Sequence, residues 1–358
     1  MDKKRILVAP LNWGLGHATR CIPVIRALTE QNFVPVIASD GDALHLLQKE
    51  FPELEHYSLP SYSVQYSKYP FWLKFKLLSK TPHIQRTISK ELKCTEDFIR
   101  TKNISGIISD NRWGVRSSLV PSVFITHQIK VLSGLTTLIS SKIQQGYINK
   151  FDECWVPDLP GAINLSGKMS HSKKTGFPVK YLGLLSRFEK EELSIEYDIL
   201  VLLSGPEPQR SILEKIIFRE LKDTKGKIYI IRGVVEKIQK IEKKENFTVC
   251  NFMTSVELEN VINSSNLVIS RSGYTSLMDL AKLEKASFLI PTPGQPEQEY
   301  LARRLKKLGL SAGCSQSKFT AEKLKKVKDY SGLSFFTSRP GSIESDDFRG
   351  VFALFQGE

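Results

Sequence analysis

The sequence predicts an α/β protein built as two successive, mostly parallel sheets, each with helices on both faces. Three observations carry this. Apolar runs of strand length alternate with helix-period segments from the first residues onward. The alternation starts afresh at Asp198-Ile199-Leu200-Val201-Leu202-Leu203, a run apolar enough to be buried on both faces. Residues of unusual type also gather directly after strands, where open parallel sheets bind their ligands. At 358 residues the chain is long enough for two domains.

The elements follow in order. Residues 5–9 read as a first strand, then a glycine-bearing loop, Gly14-Leu15-Gly16-His17, then a helix through Ile22, Ile25 and Leu28. Val34–Ala38 is the next strand, and Leu44, Leu47 and Phe51 suit a second helix. Residues 60–80 break the rhythm, with Tyr62, Tyr66, Tyr69, Phe71, Trp72 and Phe75 among Lys68, Lys74, Lys76 and Lys80. That stretch fits either a membrane- or substrate-facing element or an ordinary helix with aromatic core residues. Gly106–Asp110 and Ser122–Gln128 are short strands, one ending in Asp110 and the other in His127. Glu153–Pro157 and Tyr181–Leu185 complete the first half, and Phe188–Leu193 is a charged candidate linker. In the second half, strands at 198–203, 227–233, 247–252, 266–270 and 286–291 alternate with helices, and 301–308 is a basic amphipathic helix. Phe348, Val351, Phe352 and Phe355 form an apolar stripe in a tail helix. The expected division is 1–190, 191–340, and a tail 341–358 that docks back on the first domain.

Composition narrows the function. Hydrophobic content of 41% and charged content of 25% suit a folded, water-soluble protein and exclude a disordered one. No apolar run approaches the roughly 20 residues that span a bilayer, and Met1–Pro10 does not read as a signal peptide. Five scattered cysteines without a CxxC pair imply free thiols in a reducing, cytoplasmic setting. The histidines lack metal-ligand spacing, and no Asp-x-Asp is read at a strand end, so no metal is expected. The net charge of +13 suits polyanions, an anionic membrane surface, or plain solubility. No nucleic-acid motif supports the first of these. There is no GxGxxG with a following ribose acid, Asp40 alone being a weak substitute, no GxxxxGK[ST], and no GxSxG.

Two constellations remain. In the first half, His17 follows a glycine loop, and a neutral imidazole there suits proton abstraction near pH 7. Asp110, at the end of a neighbouring strand, would orient it, or each would simply cap a helix. His127 has the same placement, and Arg20, one turn beyond His17, faces either an anionic acceptor or solvent. In the second half, Ile269-Ser270-Arg271-Ser272-Gly273-Tyr274 runs from a strand into a helix. The turn suits a phosphate at the helix start, or is a ligand-free strand–turn–helix.

Taken together, Gly14-Leu15-Gly16-His17 and the block from Ser270 to Gly309 resemble GT-B glycosyltransferases. More closely, they resemble the clan that shares its carboxyl domain with the lipid-linked N-acetylglucosaminyltransferase of peptidoglycan synthesis. The resemblance implies two facing Rossmann-like domains with a cleft, a nucleotide-sugar donor, usually UDP-linked, and an inverting transfer to a glycan, lipid or small-molecule acceptor. It implies donor contacts at Ser204 and Gly205 against the phosphates, and backbone groups around Phe252 for the base. Ser272, Gly273 and Tyr274 would hold the diphosphate, Asp279 the ribose, and Gln298 and Glu299 the sugar. His17 would be general base with Asp110, and Gly16, Arg20 and His127 would lie on the acceptor side. The chain departs from the pattern at Gly205-Pro206-Glu207-Pro208, where prolines remove N–H donors, and at Asp279, one methylene shorter than the usual Glu. A nucleotide-sugar hydrolase, a 2-epimerase and a non-catalytic nucleotide-sugar sensor share the fold and stay open. A lipid-linked acceptor would go with peripheral attachment to the inner membrane face.

Overall fold

A computed structural model describes residues 3–62, 81–171, 175–234, 236, 238–337, 348 and 350–357. The chain forms two compact units, Met1–Ser186 with Ile343–Glu358, and Arg187–Ser342.

The first unit is a seven-stranded sheet of β1 (Arg5–Pro10), β2 (Val34–Ser39), β3 (Glu55–Ser58), β4 (Ile104–Asp110), β5 (Ser122–Ile125), β6 (Glu153–Val156) and β7 (Val179–Tyr181). Its order is β3-β2-β1-β4-β5-β6-β7, and every pairing is parallel. The central strands read as near-continuous apolar runs because they are covered on both faces. Ile6, Leu7, Val8 and Ala9 are all fully buried. Strand order reverses between β1 and β4, so the loops after these two strands flank a switch point. The helices are α1 (Gly16–Glu30), α2 (Gly41–Glu50), α3 (Thr81–Lys102) and α4 (Thr137–Ile148). The chain end returns to this unit. Phe352 meets Phe33 and Trp155, Phe355 meets Trp155, and Lys4 Nζ donates to the Phe355 and Gln356 carbonyls. The helix there is only Ala353–Gln356, shorter than the apolar stripe predicts.

The second unit repeats the scheme with β8 (Tyr197–Leu202), β9 (Ile228–Ile231), β10 (Ile241–Lys244), β11 (Phe247–Cys250), β12 (Ser265–Ser270), β13 (Ala286–Leu289) and β14 (Ala312–Gly313). The order is β10-β11-β9-β8-β12-β13-β14, antiparallel only between β10 and β11. The switch point lies between β8 and β12, so the loops at Ser204-Gly205 and Ser272-Gly273 flank it. The helices are α5 (Gln209–Leu221), α6 (Ser255–Asn263), α7 (Tyr274–Lys282) and α8 (Pro296–Lys307). Two doubly wound sheets are therefore what the alternation predicts.

Several elements differ from expectation. Helices α3 and α4 and strands β3 and β10 were not read from the sequence. Phe188, placed in a charged linker, is buried at 1% exposure. In the aromatic and basic stretch, Tyr62 is buried with its hydroxyl donated to Glu91 at 2.5 Å. Its other named residues, Tyr66 to Lys80, lie outside the described residues.

Candidate functional site

In the first unit the site is built at the ends of β1 and β4. Gly14, at φ +79°, turns the chain after β1, and α1 begins at Gly16. His17 and Arg20 then lie three residues apart in the first turn, on one face. Asp110 is the last residue of β4, paired with Pro10 in the sheet, and is fully buried. His17 Nδ1 lies 2.8 Å from Asp110 Oδ1. Arg20 grips the same carboxylate with two nitrogens, Nε at 2.5 Å from Oδ2 and Nη2 on Oδ1. Arg20 Nη1 donates to His127 Nδ1 at 2.8 Å.

This geometry fixes tautomers. Arg20 always donates, so His127 accepts at Nδ1. Arg20 Nη2 also lies 2.9 Å from His17 Nδ1, but an imidazole nitrogen cannot donate and accept at once. The ionised Asp110 is the stronger partner, so Nδ1 carries the proton and Nε2 the lone pair. His17 Nε2 takes no hydrogen bond among the described residues, and the side chain keeps 15% exposure.

The electrostatics agree. Burial holds the His17 pKa below its ordinary value; Asp110 raises it and Arg20 lowers it. The start of α1 also disfavours an imidazolium. Burial alone would raise the Asp110 pKa, but Arg20 and then His17 hold it well below the carboxylate range. The result is a neutral imidazole backed by an anion.

Arg20 corrects an expectation. It is 1% exposed and spent on Asp110 and His127, so it faces neither an acceptor nor solvent. His127, at 7% exposure, is likewise buried behind the pair. A second ionic cluster went unread. Arg112, fully buried, donates to Glu91 at 2.7 Å, to the Pro10 carbonyl at 3.0 Å, and to Asp40. It ties together the ends of β1 and β2 and helix α3. Its one sequence signal was its position two residues after Asp110. Asp40-Gly41-Asp42, following β2, is also an Asp-x-Asp at a strand end, contrary to the reading above. The Asp40 carboxylate is taken by Arg112 and Asn12.

In the second unit the site is built from backbone. Ser204 and Gly205 are exposed after β8, and Gly205, at φ +94°, holds a conformation that disfavours a side chain. A Cβ there would also lie 3.3 Å from Thr292 Oγ1. The acid in this loop is neutralised locally, Glu207 accepting from Arg210 at 2.7 and 2.9 Å. After β12, Gly273 is the N-cap of α7 without a side-chain cap, so the helix start presents backbone amides. Asp279 is half-buried further along α7.

Other predicted donor residues are occupied in holding this frame. Ser272 is fully buried and donates its hydroxyl to the Gln298 carbonyl at 2.7 Å. Tyr274, 3% exposed, packs in the core, so it offers its backbone rather than its ring. Gln298 accepts from the Thr292 N–H at 2.8 Å and donates to Gln295 at 2.7 Å. Glu299 accepts from the Gly294 N–H at 3.0 Å. Both shape the loop between β13 and α8. Phe252 donates its N–H to Asn251 Oδ1 at 3.0 Å, and its carbonyl accepts from Gln239 and Cys250. That backbone is not the free edge the resemblance implies.

Two groups were missed here. Arg271, 1% exposed, donates to the carbonyls of Ile290, Pro291 and Gln209 and to Gln316 Oε1, with no carboxylate partner among the described residues. Its Nε is unpartnered there, as is the buried Thr292 hydroxyl. Burial pushes the Arg271 pKa down to about 10, which leaves it charged at neutral pH. An arginine two residues after the apolar run Leu267–Ile269 was the available signal.

Comparison with known proteins agrees with the fold. Residues 210–330 match the Glycosyltransferase family 28 C-terminal domain. The UDP-N-acetylglucosamine–N-acetylmuramyl-(pentapeptide) pyrophosphoryl-undecaprenol N-acetylglucosamine transferase of Caldicellulosiruptor saccharolyticus is 27% identical over 216 residues, 56% of this chain and 55% of that protein. The protein of the same name from Clostridium tetani is 26% identical over 304 residues, 81% of this chain and 78% of that one. The chain thus spans about half the length of the first relative and most of the second. Among solved structures, spinosyn forosaminyltransferase is similar over 99% of this chain and 100% of its own, with a TM-score of 0.65 at 11% identity. That likeness is one of fold.

Proposed function

We propose that this chain, whose residues 210–330 match the Glycosyltransferase family 28 C-terminal domain, is a GT-B glycosyltransferase that moves a sugar from a UDP-linked donor to an acceptor hydroxyl, inverting the anomeric centre, with His17 as general base. The acceptor hydroxyl gives its proton to His17 Nε2. Its oxygen bonds to the anomeric carbon as the bond from that carbon to the diphosphate breaks, and the electron pair leaves on the diphosphate. Asp110 stabilises the imidazolium that forms. The start of α7 at Gly273 and the buried Arg271 would stabilise the departing anion. Ser204, Gly205 and Asp279 complete the donor set.

The observation that supports this reading most is the buried His17–Asp110 pair, in which Nδ1 is engaged and Nε2 is left as the acceptor of a proton. The donor is tested first by thermal shift against nucleotides and nucleotide-sugars, since a ligand of the folded state raises its melting temperature. Stabilisation by UDP and a UDP-sugar over other nucleotides is expected. The transfer is tested by incubation with the stabilising donor and no acceptor. Slow release of nucleotide fits a transferase. Rapid release of free sugar, abolished by His17→Ala, identifies a hydrolase instead.

A further inference from the structure

A buried aspartate beside a histidine can rest in either of two states, an imidazolium–carboxylate ion pair or a neutral imidazole next to an anion. Only the second leaves a lone pair on Nε2 for a substrate proton. The charges around Asp110 favour the second. Asp110 is fully buried, so water does little for its charge, and Arg20, 1% exposed, supplies the match. The guanidinium is a permanent cation whose fork reaches both carboxylate oxygens, Nε on Oδ2 and Nη2 on Oδ1. Its remaining nitrogen, Nη1, is anchored 2.8 Å from His127 Nδ1. Every nitrogen of the side chain is therefore placed by a partner.

The other groups around the pair add no second anion. On α1, the Cys21 thiol lies 3.6 Å from Asp110 Oδ2, and burial holds its pKa well up, so it is neutral. Beside Asp110, the neutral Asn111 amide lies 3.5 Å from Oδ1. From beyond the end of β5, His127 meets the pair through Arg20. Asp110 is the one carboxylate facing His17 among the described residues. Protonating His17 would therefore set two cations on one anion, with Nδ1 only 2.9 Å from Arg20 Nη2. Burial, the largest influence, lowers the His17 pKa; Asp110 opposes it and Arg20 adds to it. We propose that Arg20 is the positioning residue that sets the resting state of His17: anchored on His127, it matches the charge of Asp110, so that the imidazole stays neutral with its proton on Nδ1. The bearing of this on turnover rests on the reading of His17 as general base. Without Arg20 the buried carboxylate is unmatched, and His17 takes up a proton to match it.

The test is a nitrogen NMR titration of the imidazoles in the full chain without substrate, with the His17 signals assigned by their loss in His17→Ala. In the parent, His17 should be the neutral Nδ1–H tautomer at neutral pH and titrate below 6.5. In Arg20→Met the midpoint should rise by about 1 to 3 pH units. Arg20→Lys, which keeps the charge without the fork, should rise by less. His127→Ala keeps the fork but removes its anchor. It should move the midpoint upward by less, and it stands in for Arg20→Met if that variant does not fold. A packing role alone would leave the midpoint where it is. The proposal is overturned if Arg20→Met, or His127→Ala in its place, keeps the parent midpoint, or if His17 in the parent is already an imidazolium at neutral pH. Turnover separates the two readings. If His17→Ala loses turnover while Arg20→Met leaves the midpoint unmoved, this proposal fails alone. If the midpoint moves while His17→Ala keeps its turnover, the general-base reading fails and the charge match stands.

Discussion

The two units share one architecture and handle charge in opposite ways. At the switch point of the first, side chains meet side chains. Asp110 is matched by Arg20, and Arg112 by Asp40 and Glu91, all buried. At the switch point of the second, the loops are shaped by backbone, at Gly205 and the start of α7, and the buried Arg271 has no carboxylate partner among the described residues. A matched buried network holds a proton acceptor in one tautomer. The buried cation of the second unit is instead held by the carbonyls of Gln209, Ile290 and Pro291 and by Gln316. The difference fits a base on one unit and a nucleoside diphosphate on the other.

The largest effect expected is on turnover. His17→Ala should lower kcat about 10²- to 10⁴-fold with donor KM little changed; a loss confined to KM would remove His17 from the chemistry. Next is stability. Asp110→Ala leaves Arg20 buried without its carboxylate and should cost about 3–5 kcal/mol in urea unfolding. A cost near zero would mean the network is not the matched frame described. Arg271→Met should read out in ligand binding instead. UDP affinity should fall about tenfold, or about 1.4 kcal/mol, while uridine affinity holds. Equal loss for both would reduce Arg271 to a strap between loops. Gly205→Ala, at φ +94°, should destabilise by about 1 kcal/mol and weaken donor binding, both measurable in one thermal-shift titration.

The smallest effect is the dependence on pH. The base must be neutral, so kcat/KM rises with pH through the His17 pKa, which burial holds below the ordinary 6.5. The acid limb should therefore lie below that value; a limb above 6.5 would contradict the buried pair. The sign for stability is the same. A lowered folded value means the contribution of His17 is present above 6.5 and is lost as pH falls through the folded value. For Asp110 the contribution is present above the ordinary 3.8 and is lost progressively as pH falls from there through the much lower folded value.

Particular elements show where the sequence was informative. Strands β1, β4, β8 and β12 are apolar runs buried on both faces, and local composition was enough to place them. The loops that follow them were legible for the same reason. Strand β10 was not, because all four of its residues are exposed and carry no burial pattern. Helix α4 was not, because Leu138, Ile139 and Ile143 are exposed while Ser141 and Gln144 are buried, against what periodicity assumes. Gln298 and Glu299 in the first turn of α8, and Ser272 after β12, were read as donor contacts, but their side chains hold the neighbouring segments together.

The sequence by itself determined the alternation of strands and helices, the two sheets, and the strand ends at which polar residues gather. It could do so because burial leaves a periodic mark within a few residues. Tertiary structure decided which of those polar residues meet. Arg20 reaches Asp110 across 90 positions, and His127 across 107. No local pattern records such a pairing, since it depends on strand order and on the turn of one helix over the sheet. The His17–Asp110 pair could be suspected from its two strand ends; that Arg20 stands behind it, buried, is a fact of the folded chain alone.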